Sequence, residues 1–411
     1  MGDKKNSSKR KEISNFKLNS LLDVTLAINE NLPTSELLSK YEKLLKDDLE
    51  IGKVLIYKLG EKWECLLNSG FQKRLSDLDP EKHFVTIREI SFISAVPDRI
   101  SDEVDIIIPV FHKDLPIAYV LIGDIDEESE GVSPVIKHLK FIQTLSNIIM
   151  VAIENQRLHI ENLKQVAMKR ELELASRMQT MLIPNNNKLP SNEYISFKSF
   201  YHPHFEVGGD YYDVIRLSHE EVGFCIADVS GKGISAAILM SNFQANLRAL
   251  FTKDIPLDLL MQKLNERVLE SANGEKFITI FIAKYNYNQK KLEYINAGHN
   301  PPLFFQINEN KLSLLSSGCV GIGMLDDLPF INTNTITIDN PSKLLCYTDG
   351  LVELIEGDDV DYGYKYIEEE ISNNNTIEEN IKEMITHNRI IEGSAAIFDD
   401  ITILGVQFSG N

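Results

Sequence analysis

Gly208-Gly209-Asp210-Tyr211-Tyr212-Asp213 and Ala227-Asp228-Val229-Ser230-Gly231-Lys232-Gly233 are the stretches on which the fold reading turns. Two more acidic pieces lie far downstream, Tyr347-Thr348-Asp349-Gly350 and Phe398-Asp399-Asp400-Ile401-Thr402. Each sets an aspartate beside a glycine or at the edge of an apolar run. A strand that ends in Asp before a turn of small residues holds its carboxylate in place while other backbone comes close. The four pieces read as strands and turns converging on one carboxylate-lined site. Hard cations such as Mg²⁺ and Mn²⁺ take oxygen ligands. Four aspartates suit a two-metal site, with ions about 3.5–4 Å apart and a water activated between them.

Each signal is weak when taken alone. An Asp-Gly pair is usually a turn, GGD can be a bulge, and FDD can be a solvated strand edge. Gly231-Lys232-Gly233 lacks the hydroxyl residue of a Walker A loop. His299, in AGHNPP, reads as a turn or packing residue, and His202 and His204 have no partner histidine at helical spacing, so zinc is not expected. Cys65, Cys225, Cys319 and Cys346 lie far apart with no C-x-x-C pair, and read as reduced thiols.

The chain has 411 residues, enough for two or three domains. Its net charge of −19 argues against nucleic acid or an anionic membrane as partner. The charged start, MGDKKNSSKRKE, is no secretory signal, and no run of about eighteen apolar residues offers a membrane span. The expectation is a cytoplasmic protein.

Residues 1–16 read as a disordered tail. Helical spacing follows over Lys17–Leu45, with Pro33 and Thr34 opening a second helix. Two hairpins come next, Leu55–Leu59 with Trp63–Leu67 and Val104–Phe111 with Pro116–Ile125. One long helical stretch runs from about Ser133 to Leu182. Its apolar stripe of Ile149, Ile153, Ile160, Leu163, Ala167, Leu174, Met178 and Met181 is a heptad-type seam, the mark of a homodimer. From Tyr194 the chain is strand-rich. Helices are expected over Ile234–Phe251, Pro256–Ala272 and Thr376–His387, and hairpins turn near Asn288–Lys291 and Asn308–Asn310. The fold class is α+β, a β-sandwich flanked by helices following a smaller antiparallel domain.

In pattern, residues 17–158 resemble a GAF sensor domain, which implies an antiparallel sheet with helices and a small-molecule or protein signal. Residues 159–186 would be a coiled-coil-like connector helix. GGDYYDV, ADVSGKGISAAILMS, FITIFIAKY, LEYINAGHNPPLFF, GIGML, LLCYTDGLVE and FDDITILGV together resemble the successive motifs of bacterial PP2C-type (SpoIIE-like) serine/threonine phosphatases, over residues 187–411. The domain order is similar to that of the stress-regulatory RsbU/RsbP group. The resemblance implies a PPM-class enzyme with two Mn²⁺ or Mg²⁺ ions. Asp228 would bridge the ions, the Val229 carbonyl would join one, Asp349 and Asp399 would hold the other, and Asp210 would sit beside them. Asp400 is the reserve choice for Asp399, while Tyr211, Tyr212 and Asp213 would support the strand. The substrate implied is a phosphorylated regulator, a STAS-type anti-sigma-factor antagonist. Eukaryotic members grip phosphate with an arginine near the first aspartate. Here Arg216 lies just beyond GGD, and Lys232 is the candidate substitute, against a plain solvated turn lysine. Two rival readings stay open: a catalytically silent dimeric scaffold and a ligand sensor.

Overall fold

A computed structural model describes residues 2–76, 79–92, 103–125, 134–204, 207–354, 360–391 and 399–410. Ser133, the expected start of the long helix, and Phe398 of the fourth acidic piece lie outside these residues. The chain divides into two compact units, Met1–Val166 and Ala167–Asn411.

The first unit opens with α1 (Gly2–Asn29), α2 (Thr34–Lys43) and a π-helical turn, Leu44–Asp48. The start of α1 at Gly2 corrects the tail expected over residues 1–16. No Gly or Pro interrupts residues 3–32, and lysines and glutamates favour helix there. Next come β1 (Lys53–Leu59), β2 (Trp63–Ser69), the short helices α3 (Lys73–Ser76) and α4 (Pro80–His83), β3 (Ser91–Phe92), β4 (Ile106–His112) and β5 (Leu115–Gly123). They form an antiparallel sheet of order β2-β1-β5-β4-β3. Alternation along the strands splits their side chains between two cores. Val54, Ile56, Ile108 and Val120 pack with Leu37, Tyr41, Ile142 and Leu145 from the helices. Leu55, Tyr57, Tyr119 and Leu121 pack with Phe71, Leu75 and Phe84 on the opposite face.

α5 (Pro134–Thr180) is a single helix of 47 residues, uninterrupted because no glycine or proline lies between Val135 and Ile183. Ile149 and Ile153 are buried, but Ile160, Leu163, Leu174, Met178 and Met181 are exposed.

The second unit runs β6 (Ile195–His202), β7 (Tyr211–Arg216), β8 (Glu221–Val229), α6 (Ile234–Leu250), α7 (Leu257–Ala272), β9 (Ile278–Asn286) and β10 (Lys291–Ala297). It continues through β11 (Leu303–Gln306), β12 (Lys311–Leu314), β13 (Gly318–Cys319), β14 (Asn334–Thr337), β15 (Ser342–Tyr347), α8 (Asp349–Glu353), α9 (Val360–Ile371), α10 (Ile377–His387) and β16 (Ile401–Phe408). One sheet has the order β13-β10-β9-β8-β7, with β14 also on β10, and the other the order β12-β11-β15-β16-β6. The sheets face each other: Phe224 of β8 meets Phe197 of β6 at 5.4 Å, and Tyr285 of β9 meets Phe408 of β16 at 4.9 Å between ring centres. Residues of opposite parity on β7 point outward, where Tyr211 meets Phe243 of α6. Leu345, Tyr347, Ile401 and Ile403 of the second sheet pack under Ile367, Ile377, Ile381 and Met384 of α9 and α10. Helix, sheet, sheet and helix are thus stacked, each sheet burying both faces.

Candidate functional site

The register of β7 on β8 ends with Tyr211 opposite Ala227, so Asp210 and Asp228 each lie one residue beyond that pair, and their carboxyl groups are within hydrogen-bonding reach. Two carboxyl groups held this close in a buried place repel when both are ionised, so the arrangement needs compensation from elsewhere. Part of it comes from the other sheet. Thr348, between β15 and α8, and Thr402, on β16, both donate their hydroxyls to Asp210 Oδ2, at 2.8 and 2.5 Å. Asp210 is buried at the edge of the sandwich with both sheets in contact with its carboxylate.

Asp349 is the first residue of α8 rather than part of a turn, with Thr348 at the N-cap. Gly350 packs on the Asp399–Asp400 backbone, and this close approach brings Asp349 towards Asp399. The two neighbouring aspartates then divide their tasks. Asp400 is buried, and its oxygens accept from the backbone N–H groups of His204 at 2.8 Å and Gly209 at 2.7 Å. Asp399 is partly exposed. Its Oδ1 accepts from Asp400 N at 2.8 Å and its Oδ2 faces the Lys232 ammonium at 2.6 Å. Asp400 therefore anchors the Gly208–Gly209 loop, while Asp399 looks into the acidic group. The glycines are needed there. A methyl group on Gly208 would stand 2.5 Å from Asp400 Oδ2 and 2.8 Å from the Tyr201 hydroxyl, and one on Gly209 would stand 3.1 Å from the Val229 carbonyl oxygen.

Protonation behaviour shows how tightly the carboxylates are grouped. Burial first, then the charges of Asp228 and Asp400, holds Asp210 well above the ordinary carboxylate range. Burial, then Asp349 and Asp399, pushes Asp228 up to about 7. Asp349 is raised by burial and then by Asp399, and Glu353 by burial and then by Asp349 and Asp399. Groups shifted by burial and like charge are under-neutralised, and they mark sites where a cation is wanted. Among the described residues no three Asp, Glu, His or Cys side chains close into a ready metal cage. The cationic group in contact with Asp399 is Lys232. The donor set nonetheless fits hard cations: Asp210, Asp228, Asp349 and Asp399 offer carboxylate oxygens, Val229 a carbonyl oxygen, and no thiol or imidazole stands among them.

The other residues singled out from sequence are placed elsewhere. His202 stacks on Phe200, and His204 contributes its backbone N–H to Asp400. His299 is buried with Nδ1 3.0 Å from the Thr279 hydroxyl, and burial pushes its imidazole down to about 4. Arg216, at the end of β7 away from Asp210, lies against Ser218 and His219. Asp213 is fully buried and accepts from Tyr211 and from Arg248 of α6.

Sequence reasoning did not single out Gln179, Thr348 or Thr402 as site residues. Gln179, at the end of α5, is buried and clamps Gly208 with both ends of its amide. Nε2 donates to Gly208 O at 2.7 Å, and Oε1 accepts from Gly208 N at 3.1 Å. Strand threonines are ordinary β residues, and a glutamine on a polar helix carries no distinguishing pattern. The signal available was proximity in sequence, since Thr348 and Thr402 lie inside the acidic pieces.

Gly350 provides a direct test of this packing. Gly350→Ala would drive a methyl group into the Asp400 carbonyl, and overpacking of this kind costs about 1–3 kcal/mol. A denaturant midpoint equal to that of the parent protein would contradict the close approach.

Comparison with known proteins adds to this geometry. The family model for stage II sporulation protein E (SpoIIE) matches residues 218–409. Phosphoserine phosphatase RsbU of Bacillus subtilis (strain 168) is 28% identical over 189 residues, 46% of this chain and 55% of the relative. Phosphoserine phosphatase RsbP of the same organism is 30% identical over 193 residues, 45% of this chain and 46% of the relative. The chain thus spans about half the length of these curated relatives. Among solved structures, the SiaA-PP2C domain of Pseudomonas aeruginosa matches with a TM-score of 0.50 at 17% identity, covering 60% of this chain and 99% of that one. At that identity the likeness is one of fold.

Proposed function

We propose, from the match of residues 218–409 to the SpoIIE family model, that the protein is a metal-dependent phosphatase hydrolysing phosphoserine or phosphothreonine on a regulatory protein. The observation that supports this reading is the mutual electrostatic influence among Asp210, Asp228, Asp349 and Asp399, drawn from the β7–β8 hairpin and two segments far downstream. Asp210, Asp228, the Val229 carbonyl, Asp349 and Asp399 would hold Mn²⁺ or Mg²⁺. When bound, such cations neutralise phosphoryl oxygens and bring the pKa of a water down to about 7.

The chain's own residues supply placement. Thr348 and Thr402 orient Asp210. Asp400 and Gln179 grip the Gly208–Gly209 backbone from two sides. The thiols of the second unit are poor nucleophiles: Cys225, Cys319 and Cys346 are buried, and burial raises all three, Cys319 to about 11. The Lys232 ammonium, paired with Asp399 near the start of α6, would meet a phosphoryl anion in this reading.

The family relation supports a small phosphoprotein as substrate, of the STAS-type anti-sigma-factor-antagonist class. In this reading residues 17–158 form a GAF-like sensor domain, residues 159–186 a connector, and the exposed seam of Ile160, Leu163, Leu174 and Met178 pairs two chains. The sensor would then act on the site through the connector, whose last turn holds Gly208 through Gln179. The Lys232–Asp399 ion pair and, among the described residues, the lack of a ready metal cage suit a catalytically silent scaffold instead.

One assay bears on all of this: hydrolysis of a phosphoserine protein by the full chain and by a chain lacking residues 1–158, with EDTA and with Mn²⁺ restored. Activity should vanish in EDTA, return with Mn²⁺ and differ between the two chains. Hydrolysis indifferent to chelation defeats the metal mechanism. Equal rates and an unchanged oligomeric state defeat control by the N-terminal unit, and no hydrolysis under any condition supports the scaffold.

A further inference from the structure

Lys232 is delivered to the acidic group by a tightly specified loop. Gly231 and Gly233 on either side of it adopt positive φ, 78° and 80°, which non-glycine residues rarely take. The carbonyl of Ser230 accepts from the Lys276 ammonium at 2.7 Å, and Ser230 Oγ accepts from Phe277 N at 2.9 Å, so the loop is pinned to the start of β9. A methyl group at Gly231 would stand 2.6 Å from the same Lys276 nitrogen. The two lysines are thereby given different work: Lys276 is occupied with backbone, and Lys232 extends over the carboxylates.

There it meets Asp399 Oδ2 at 2.6 Å, with its side chain partly open to solvent at 43% exposure. Asp399 Oδ1 is taken by the Asp400 N–H, so both its oxygens are engaged. A backbone N–H can share a carboxylate oxygen with a metal ion, because it carries no net charge. An ammonium on the other oxygen repels a second cation at that distance.

We propose that Lys232 is a tethered competitor for the cation at Asp399. This rests on the metal-dependent reading above. The ammonium offsets the charge of Asp399 and must swing outward before that carboxylate can ligate a metal ion. Cation affinity is held below what the carboxylates alone would give, and the displaced ammonium stays at the mouth of the site. A turn lysine without this role, or one that serves only phosphate, would leave cation affinity untouched.

Calorimetric titration of the full chain with Mn²⁺ decides the matter, comparing the parent protein with Lys232→Met and Lys232→Arg. Lys232→Met is expected to bind Mn²⁺ about two- to fivefold more tightly, the size that a partly exposed ion pair can supply, and Lys232→Arg is expected to stay near the parent. A parallel readout is amine-modification rate at Lys232, followed by mass spectrometry, which should rise when Mg²⁺ is added. Equal or weaker Mn²⁺ binding by Lys232→Met overturns the proposal while leaving the metal-dependent reading standing. Absence of Mn²⁺ binding in the parent and in both variants overturns both.

Discussion

Asp228→Asn is expected to lower phosphoserine hydrolysis about a thousandfold or more, a rise of about 4 kcal/mol in the barrier. Asparagine keeps the shape and one oxygen of the side chain but removes its charge. Asp228 is within hydrogen-bonding reach of Asp210 and within the field of Asp349 and Asp399, so it is the member common to the whole acidic group. A cation held by the rest would lose its central anionic ligand. Stability should behave in the opposite way. In EDTA the variant loses one of several mutually repelling carboxylates, and its thermal midpoint should equal or exceed that of the parent. An active Asp228→Asn protein, within tenfold of the parent rate, would remove Asp228 from the mechanism. An inactive variant that also unfolds early would make its role structural.

Arg248→Met should have the largest effect on stability. Arg248 of α6 donates to both oxygens of Asp213, at 2.7 and 3.0 Å, and Asp213 has no solvent exposure. Breaking a buried pair by removing one partner costs about 3–5 kcal/mol, and with half of the arginine side chain in water about 2–3 kcal/mol is the reasonable expectation. The Tyr211 hydroxyl and the Val214 N–H continue to serve the carboxylate, which limits the loss. Adding Asp213→Asn to Arg248→Met should restore a good part of it, because no buried charge is then left alone. Urea unfolding of the single and double variants measures both. A single variant as stable as the parent would mean that α6 is held on its sheet by packing alone.

Much of the architecture was legible because turns and periodicity agreed. The hairpin expected to turn near Asn288–Lys291 forms between β9 and β10, and the one at Asn308–Asn310 between β11 and β12, since polar residues there separate alternating apolar runs. The helices at Ile234, Leu257 and Ile377 follow a glycine, a proline and a threonine that mark their starts. What escaped lacked such marks. α9 carries Gly363 and three tyrosines among its twelve residues, a composition that does not announce a helix. The tail before residue 17 lacks a clear apolar face, and its helix shows only in the structure. The aspartates were legible as candidates because each interrupts an apolar run. The different postures of Asp399 and Asp400 were not, because adjacent residues with the same side chain are told apart only by what their backbone packs against.

The hydroxyls that fix Asp210 come from 138 and 192 residues away along the chain. Closing loops of that length is entropically costly and tends to come late in folding. During synthesis the segment Ile401–Phe408 must have left the ribosome before Thr402 can reach Asp210 and before β16 can join β15 to β6. A truncated or nascent chain lacking that strand retains the GGD and ADVSGKG motifs but lacks the Thr402 hydroxyl that holds Asp210. Quality control is thus built into the connectivity, because only a chain whose two sheets have met can present its carboxylates together.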